Sequence, residues 1–187
     1  MDFIKEYTER LKEAISALEL EEIKRIAKLL ISEKDKDRTI FFCGNGGSAA
    51  CASHTTNDIA KLTIVPGQKR FRAICLSDNI PLLTAWANDN GYEHCFVEPL
   101  KNLYQNGDVL IAISGSGNSK NVLNAVEYVN ANGGVTIGLT GLTGGRLATL
   151  TQNTIQVKSD SMQIIEDVHV FIGHIICSYI AHLSKGK

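Results

Sequence analysis

Several features that would direct a search for function are missing from this sequence. The 187 residues carry a formal net charge of -1, so neither nucleic acid nor a membrane surface is expected as a partner. The five cysteines are scattered and form no CxxC pair, which predicts reduced thiols, most of them core residues, in a cytoplasmic protein. No apolar run approaches the length of a membrane span, and the charged amphipathic start differs from a signal peptide.

What the sequence does have is a regular alternation of apolar runs and helical patterns. Five short apolar runs predict strands at residues 39–43, 71–76, 108–113, 134–140 and 154–157. The segments between them predict helices, one of them over residues 92–104, and a long apolar helix from 162 to about 183 that should be buried. This alternation predicts an α/β fold: a single doubly wound domain over residues 1–187, with a mostly parallel five-stranded sheet flanked by helices.

The first 35 residues predict an N-terminal helical arm. Apolar residues recur near helical spacing over residues 2–32, as one or two helices, and residues 33–38 (EKDKDR) predict a solvated link. An arm of this kind packs either on a partner subunit or on its own sheet, and the sequence leaves both open.

Two strands are predicted to end in turns made of small residues. The third strand runs into Ser114, Gly115, Ser116 and Ser119 before a helix begins, so loop amides, hydroxyls and the positive end of a helix dipole meet at one point. This indicates an anion site, or a simple Gly/Ser turn in which Ser119 caps the helix.

The first strand ends in a similar turn, residues 44–50 (GNGGSAA), which contains Asn45, Gly46, Gly47 and Ser48. Two such turns on one parallel sheet can converge on one ligand at the carboxyl ends of the strands.

Titratable side chains occur on two of the predicted helices. His54 and Asp58 are four residues apart and share a face, and the last helix carries Glu166, Asp167, His169 and His174. If the helices meet, His54, Asp58, Glu166 and one later histidine form a cluster that suits Zn²⁺ or another divalent metal, or general acid–base chemistry without a metal.

Plainer interpretations of these residues remain open. His54 and Asp58 can be a surface pair, Glu166 can simply complement the helix dipole, and His174 can be a core histidine. Asp89 is a turn former, or an acceptor for a sugar hydroxyl near the edge of the sheet.

Taken together, these motifs resemble the SIS (sugar isomerase) domain family and, more narrowly, the phosphoheptose isomerases. The resemblance covers nearly the whole chain and rests on GNGGSAA at 44–50, ND-GY at 88–92, GDVLIAISGSGNS at 107–119, TIGLTG at 136–141, and the last helix. It implies an aldose–ketose isomerase that converts sedoheptulose 7-phosphate to D-glycero-D-manno-heptose 7-phosphate through an enediol.

The resemblance also implies roles for individual residues. It assigns the phosphate to Ser48, Ser114, Ser116 and Ser119, substrate contacts to Asn45 and Asp89, the base to Asp58 and the acid to His174. By the same resemblance, metal, with zinc the expected ion, would bind His54, Asp58, Glu166 and His174, and Glu166 would also contact substrate. It further implies a homotetramer with active sites at subunit interfaces and no nucleotide cofactor.

This sequence departs from the family pattern at three places. Asp58 replaces a Glu, which withdraws the carboxylate by over about 1 Å and costs on the order of 100-fold in rate if nothing adjusts. Glu166 replaces a Gln, and two nearby carboxylates favour a bound cation. An Arg of the usual T-x-R-I-Q-E run is absent from residues 162–167, which leaves the sugar open.

Two rival functions are considered. The first is a non-catalytic SIS module that binds a phosphosugar or a protein. The second is a nucleotide-dependent oxidoreductase, since residues 44–49 fit G-x-G-x-x-A, but the acid expected to bind ribose at the end of the next strand is missing.

Overall fold

The strands of the computed structural model, which describes residues 2–186, lie close to the apolar runs of the sequence. They are β1 (Thr39–Gly44), β2 (Arg72–Cys75), β3 (Val109–Ser114), β4 (Val135–Thr140) and β5 (Asn153–Gln156). All four neighbouring pairs are parallel, and the order across the sheet is β2-β1-β3-β4-β5. The predicted five-stranded, doubly wound parallel sheet is therefore confirmed.

Eight α-helices are described besides a single 3-10 turn at Tyr92–His94. They are α1 (Phe3–Ser16), α2 (Leu20–Asp35), α3 (Gly47–Lys61), α4 (Ile80–Asn90), α5 (Val97–Leu103), α6 (Lys120–Ala131), α7 (Gly145–Leu150) and α8 (Met162–Lys185). The single helix predicted over residues 92–104 is wrong. Pro99 has no N–H to donate to the carbonyl of Cys95, so the chain makes the 3-10 turn and then starts α5, with the proline in its first turn.

Two hydrophobic layers cover the two faces of the sheet. In β1, Ile40 and Phe42 face a core shared with α1, α2, α3 and α8, whereas Phe41 and Cys43 face a core shared with α5, α6 and α7. Successive side chains of a strand point to opposite faces, so a strand that is apolar throughout can serve both layers.

The N-terminal arm is two helices that pack on α8 of the same chain. The solvated link predicted at residues 33–38 is partly wrong, because α2 continues to Asp35 and both Glu33 and Lys34 are buried. Glu33 pairs with Lys36 at 2.7 Å, and the Lys34 amine lies 5.4 Å from the centre of the Phe71 ring. These partners allow charged residues to enter a helix that packs on the core.

The last helix is long and apolar enough to cross a membrane by length and composition alone. An 18-residue window of α8 has a mean hydropathy of 1.5, so the expectation that no run approaches a membrane span is wrong. In this fold 56% of that window is buried against the rest of the chain. Packing between the sheet and the neighbouring helices therefore accounts for its apolar character.

All five cysteines are free and buried, as predicted. Burial raises the pKa of Cys51 and Cys75 to about 11 and that of Cys177 to about 12. These thiols therefore remain protonated at neutral pH and act as small core residues.

The direction of winding reverses between β1 and β3. The chain passes from β1 outward to β2, returns to β3 on the other side of β1, and then continues outward through β4 to β5. Gly44, at the end of β1, is in register with Ile113, next to the end of β3. The two small-residue turns therefore leave the sheet side by side, at the position where doubly wound proteins bind ligands.

Candidate active site

The serine loop after β3 folds its three hydroxyls into one cluster. Ser114 Oγ lies 3.3 Å from Ser116 Oγ and 3.2 Å from Ser119 Oγ, and it accepts the N–H of Gly117 at 3.2 Å. Gly117 has φ 65°, and a Cβ there would meet the carbonyl oxygen of Gly144 at 2.0 Å. A glycine is therefore needed for the loop to seat against the start of α7.

The two helices that follow the turns begin without side-chain caps. Ser119 occupies the N-cap position of α6, but its hydroxyl is turned to Ser114 and makes no cap bond. Gly46 begins α3 with φ 54° and has no side chain to offer. Ser119 is therefore not an ordinary cap, and helix N-termini with free N–H groups favour an anion.

The two turns line a shared depression of about 230 Å³, here called the serine pocket. Its lining residues are Asn45, Ser48, Ile113, Ser114, Gly115, Ser116, Ser119, Met162 and Glu166. Ser48 and Ser114 are buried at its base, and no lysine or arginine is among the lining residues in the described part of the chain. An anion bound here would be held by hydroxyls and backbone amides.

A pair of amides joins the two turns. Asn45 Nδ2 donates to Asn121 Oδ1 at 2.9 Å, and Asn121 Nδ2 donates back to Asn45 Oδ1 at 2.8 Å. The Tyr92 hydroxyl donates to the same Asn45 oxygen at 2.8 Å. The sequence analysis assigns no role to Asn121 or Tyr92. Tyr92 belongs to the ND-GY segment, and Asn121 follows the serine loop.

A second cluster lies where α3 packs against α8. His54 Nε2 and His174 Nε2 are 2.7 Å apart, and Asp58 Oδ2 is 3.5 Å from the first and 3.7 Å from the second. Four ligands around zinc at 2.0–2.1 Å lie about 3.4 Å from one another, so this triangle is close to one face of such a site. Two imidazoles and a carboxylate are also donors that Zn²⁺ accepts, and the three residues fit a metal ion.

Glu166 is not part of this cluster within one chain. It precedes His174 by eight residues on α8, a separation of about 12 Å along the helix axis. Its carboxylate lies instead beside Gly47, where a Cβ would come within 2.3 Å of an oxygen of Glu166. The structure therefore places three of the four predicted metal ligands together, and puts Glu166 in the serine pocket.

The remaining residues of interest lie outside both groups. His169 is fully buried and its Nε2 lies 3.1 Å from the carbonyl oxygen of Thr140, to which it donates; burial lowers its pKa to about 4. Asp167 accepts from the Tyr7 hydroxyl at 2.5 Å. Asp89 is exposed at the end of α4, where it accepts from Asn88 at 2.8 Å, and it does not line the serine pocket.

Comparison with known proteins places this chain in a family. Residues 2–141 match the model of the SIS domain, and the chain belongs to the SIS domain family. The phosphoheptose isomerase of Aneurinibacillus thermoaerophilus is 38% identical over 186 residues, covering 96% of this chain and 92% of its own. Within the SIS family, this chain belongs with the phosphoheptose isomerases.

Solved structures agree with that assignment. The phosphoheptose isomerase of Neisseria gonorrhoeae superposes with a TM-score of 0.86 at 30% identity over 95% of both chains. The phosphoheptose isomerase of Francisella tularensis superposes with a TM-score of 0.88 at 29% identity over 97% of both chains. The likeness extends through α8, which the SIS domain match does not include.

Proposed function

We propose that this protein is a phosphosugar aldose–ketose isomerase that interconverts sedoheptulose 7-phosphate and D-glycero-D-manno-heptose 7-phosphate. The observation that carries the proposal is that one chain, 38% identical to a phosphoheptose isomerase, contains two groups. One is the serine pocket, and the other is the cluster of His54, Asp58 and His174 further along α3 and α8, here called the His/Asp cluster. The substrate likewise has two functional ends, with its phosphate on C7 and the reacting carbons at C1 and C2.

The serine pocket is proposed to hold the phosphate. Ser48, Ser114, Ser116 and Ser119 donate hydroxyl hydrogen bonds, and the amides at the starts of α3 and α6, with Gly46, Gly47 and Gly115, supply the rest. Asn45, Glu166 and Asp89 are proposed to contact sugar hydroxyls. Asp89 would do so after a movement of α4 or from a neighbouring copy, since it lies outside this pocket.

The His/Asp cluster is proposed to move the proton. In the direction from ketose to aldose, Asp58 removes a proton from C1 while His174 protonates the carbonyl oxygen on C2, which gives the enediol. A proton then returns to C2 as the C1 hydroxyl loses its own, and the carbonyl is now at C1. Asp58 is only partly exposed, and two imidazoles lie within 3.7 Å of its Oδ2.

A divalent metal, with zinc the expected ion, is proposed to bind His54, Asp58 and His174. When bound, it would polarise the oxygens on C1 and C2. Because Glu166 lies about 12 Å away along α8, its predicted part in the same site requires the Glu166 of another copy of the chain. Asp58 cannot be a tight ligand and a free base at once, so the two roles compete.

The proposal extends to assembly and location. A homotetramer with active sites at subunit interfaces would cover the half-exposed His54 and His174 and the neighbouring exposed Leu62. We place the protein, a single SIS domain with residues 1–35 as a helical arm, in the cytoplasm. A crystal structure of the protein with a bound open-chain sugar phosphate tests this assembly.

The alternative, a non-catalytic SIS module, is less well supported. A binding module needs the serine pocket but has no use for a carboxylate held between two imidazoles on separate helices. Membership of the phosphoheptose isomerases likewise gives no role to a nucleotide cofactor.

The test is turnover of sedoheptulose 7-phosphate, measured as the rate of aldose formation with and without added Zn²⁺. We expect turnover by the natural chain and a loss of at least about 100-fold in kcat for Asp58→Asn, because the amide cannot take up a proton. Affinity for inorganic phosphate should be unchanged, since Asp58 lies outside the serine pocket.

The matched control is Asp37→Asn, the same chemical change at an exposed turn whose φ of 62° asparagine tolerates. Full activity is expected of it. Equal phosphosugar binding by the natural chain and Asp58→Asn, with turnover by neither, would favour the binding module.

A further inference from the structure

The carboxylate of Glu166 is a negative charge inside a pocket built for an anion. A Cβ placed on Gly47 would lie 2.3 to 2.5 Å from three atoms of the Glu166 carboxyl group, so this group rests on the backbone at the first turn of α3. It has no hydrogen-bond or ion-pair partner among residues 2–186.

No charged side chain among the lining residues offsets it, and only the positive end of the α3 dipole does so. The other lining residues are serines, a glycine, an asparagine and apolar side chains. A phosphate dianion bound by the same serines would therefore meet a like charge at close range, and like charges that share a site disfavour one another.

The energetic balance changes for a ligand that also carries hydroxyl groups. A carboxylate only accepts hydrogen bonds, and an unpaired one is costly to enclose under a ligand. The hydroxyls of a sugar chain attached to the phosphate can donate to Glu166, whereas a bare phosphate ion brings a comparable negative charge without a hydroxylated chain to offset it.

We propose that Glu166 determines specificity by excluding bare phosphate ions and admitting phosphates that carry a polyhydroxylated chain. The inference rests on the proposed function in one respect, that phosphate binds in the serine pocket. It goes further in giving Glu166 a selective role. Free phosphate would then compete poorly with the sugar phosphate for the site.

The test compares two probes by calorimetric titration, in buffer without added divalent cation. One probe is inorganic phosphate. The other is the 7-phosphate of the open-chain seven-carbon polyol, which lacks a carbonyl group and cannot isomerise. We expect Glu166→Gln to bind inorganic phosphate about tenfold more tightly than the natural chain, because the like charge is gone. Its affinity for the polyol phosphate should be unchanged or weaker, since relief of the same charge repulsion is offset by the loss of a charged acceptor for the hydroxyls of the chain.

Two further variants serve as a control and as a graded change of the same charge. Asp167→Asn removes a neighbouring carboxylate that contacts Tyr7 outside the pocket, and it should leave both affinities unchanged. Glu166→Asp keeps the negative charge on a side chain that is one methylene shorter. Its affinity for inorganic phosphate should lie between those of the natural chain and of Glu166→Gln. Glu166→Asp also provides the measurement if the Gln variant does not fold.

The proposal is overturned if removing the charge leaves phosphate affinity unchanged, or strengthens both probes by the same factor. It is also overturned, together with the phosphate site itself, if neither probe binds any variant. Selective binding of the polyol phosphate without turnover of sedoheptulose 7-phosphate would support the role of Glu166 and contradict only the isomerase.

Discussion

The two later histidines of α8 differ sharply in environment. His174 is half-exposed beside His54, whereas His169 is fully buried, with its Nδ1 unpartnered and its Nε2 bonded to Thr140. The sequence allows His174 to be a core histidine because its neighbours are apolar, but the histidine that is buried in the core is His169. Their separation of five residues shows only that the side chains of His169 and His174 cannot point in the same direction. The fold decides which of them is buried.

The burial of His169 has a consequence for stability. Its pKa falls to about 4 in the folded chain, below the ~6.5 of an exposed histidine, so the unfolded chain binds the proton more readily. The stability that depends on neutral His169 is complete above about pH 6.5 and is lost as the pH falls towards 4.

We therefore expect His169→Gln to remove part of the acid sensitivity. Between pH 7 and pH 4.5 the natural chain should lose about 2.5 kcal/mol more unfolding free energy than this variant, as measured by urea denaturation. His182→Gln changes an exposed histidine of the same helix and should keep the natural pH dependence. Identical pH dependence in all three proteins would show that His169 does not titrate in this way.

At the scale of elements, the cluster depends on the close approach of α3 and α8. A Cβ at Gly173 would lie 2.5 Å from Thr55 Oγ1, and these two residues directly adjoin His174 and His54 in the chain. The sequence predicts that His54 and Asp58 share a face, because four residues make about one turn. It does not predict which face of α8 meets them, since that depends on packing between residues far apart in the chain.

We expect Gly173→Ala to separate the two helices. The added methyl must displace the Thr55 side chain or shift a helix, which costs about 1–3 kcal/mol of unfolding free energy and spreads the three ligands apart. Zinc affinity, measured by competition with a chromogenic chelator, should fall about tenfold.

Ser178→Ala provides the control, because Ser178 is exposed on the same helix and its change should stay within about 0.5 kcal/mol. A Gly173→Ala protein with natural stability and natural zinc affinity would mean that this close contact does not set the geometry of the cluster.

Local sequence predicts elements well where burial is uniform. All five strands lie within two residues of their predicted bounds, and β1 and β3 are buried throughout. The errors have two causes. Tertiary packing outweighs composition where charged Glu33 and Lys34 continue a buried helix, and the missing N–H of Pro99 divides an otherwise helical pattern. The part of Glu166 in the metal site stays a prediction, because within one chain its carboxylate lies beside Gly47 and a second copy would have to supply this ligand.

For the whole molecule, the topology brings the two serine-containing turns together. Strand and helix alternate along the chain, which is enough to predict that parallel strands end at one edge of the sheet. That β1 and β3 are neighbours, with the winding reversed between them, is visible only in the folded chain. The serine pocket follows from this reversal.

In the proposed function, the serine pocket and the His/Asp cluster bind opposite ends of one substrate. Glu166 and His174 mark the two groups on α8, about 12 Å apart along its axis. An extended seven-carbon chain with a terminal phosphate is on the order of 10 Å long at ~1.5 Å per carbon–carbon bond. A ligand of this length can reach from one group to the other, in one chain or across an interface.

The most direct test is a crystal structure with the open-chain seven-carbon polyol 7-phosphate bound. We expect the phosphate to lie among Ser114, Ser116 and Ser119. We expect C1 and C2 within hydrogen-bond reach of an Asp58 and a His174 from the same or an adjoining copy in a tetramer. A phosphate bound elsewhere, or a C1 end far from every His/Asp cluster of the assembly, would contradict this expectation.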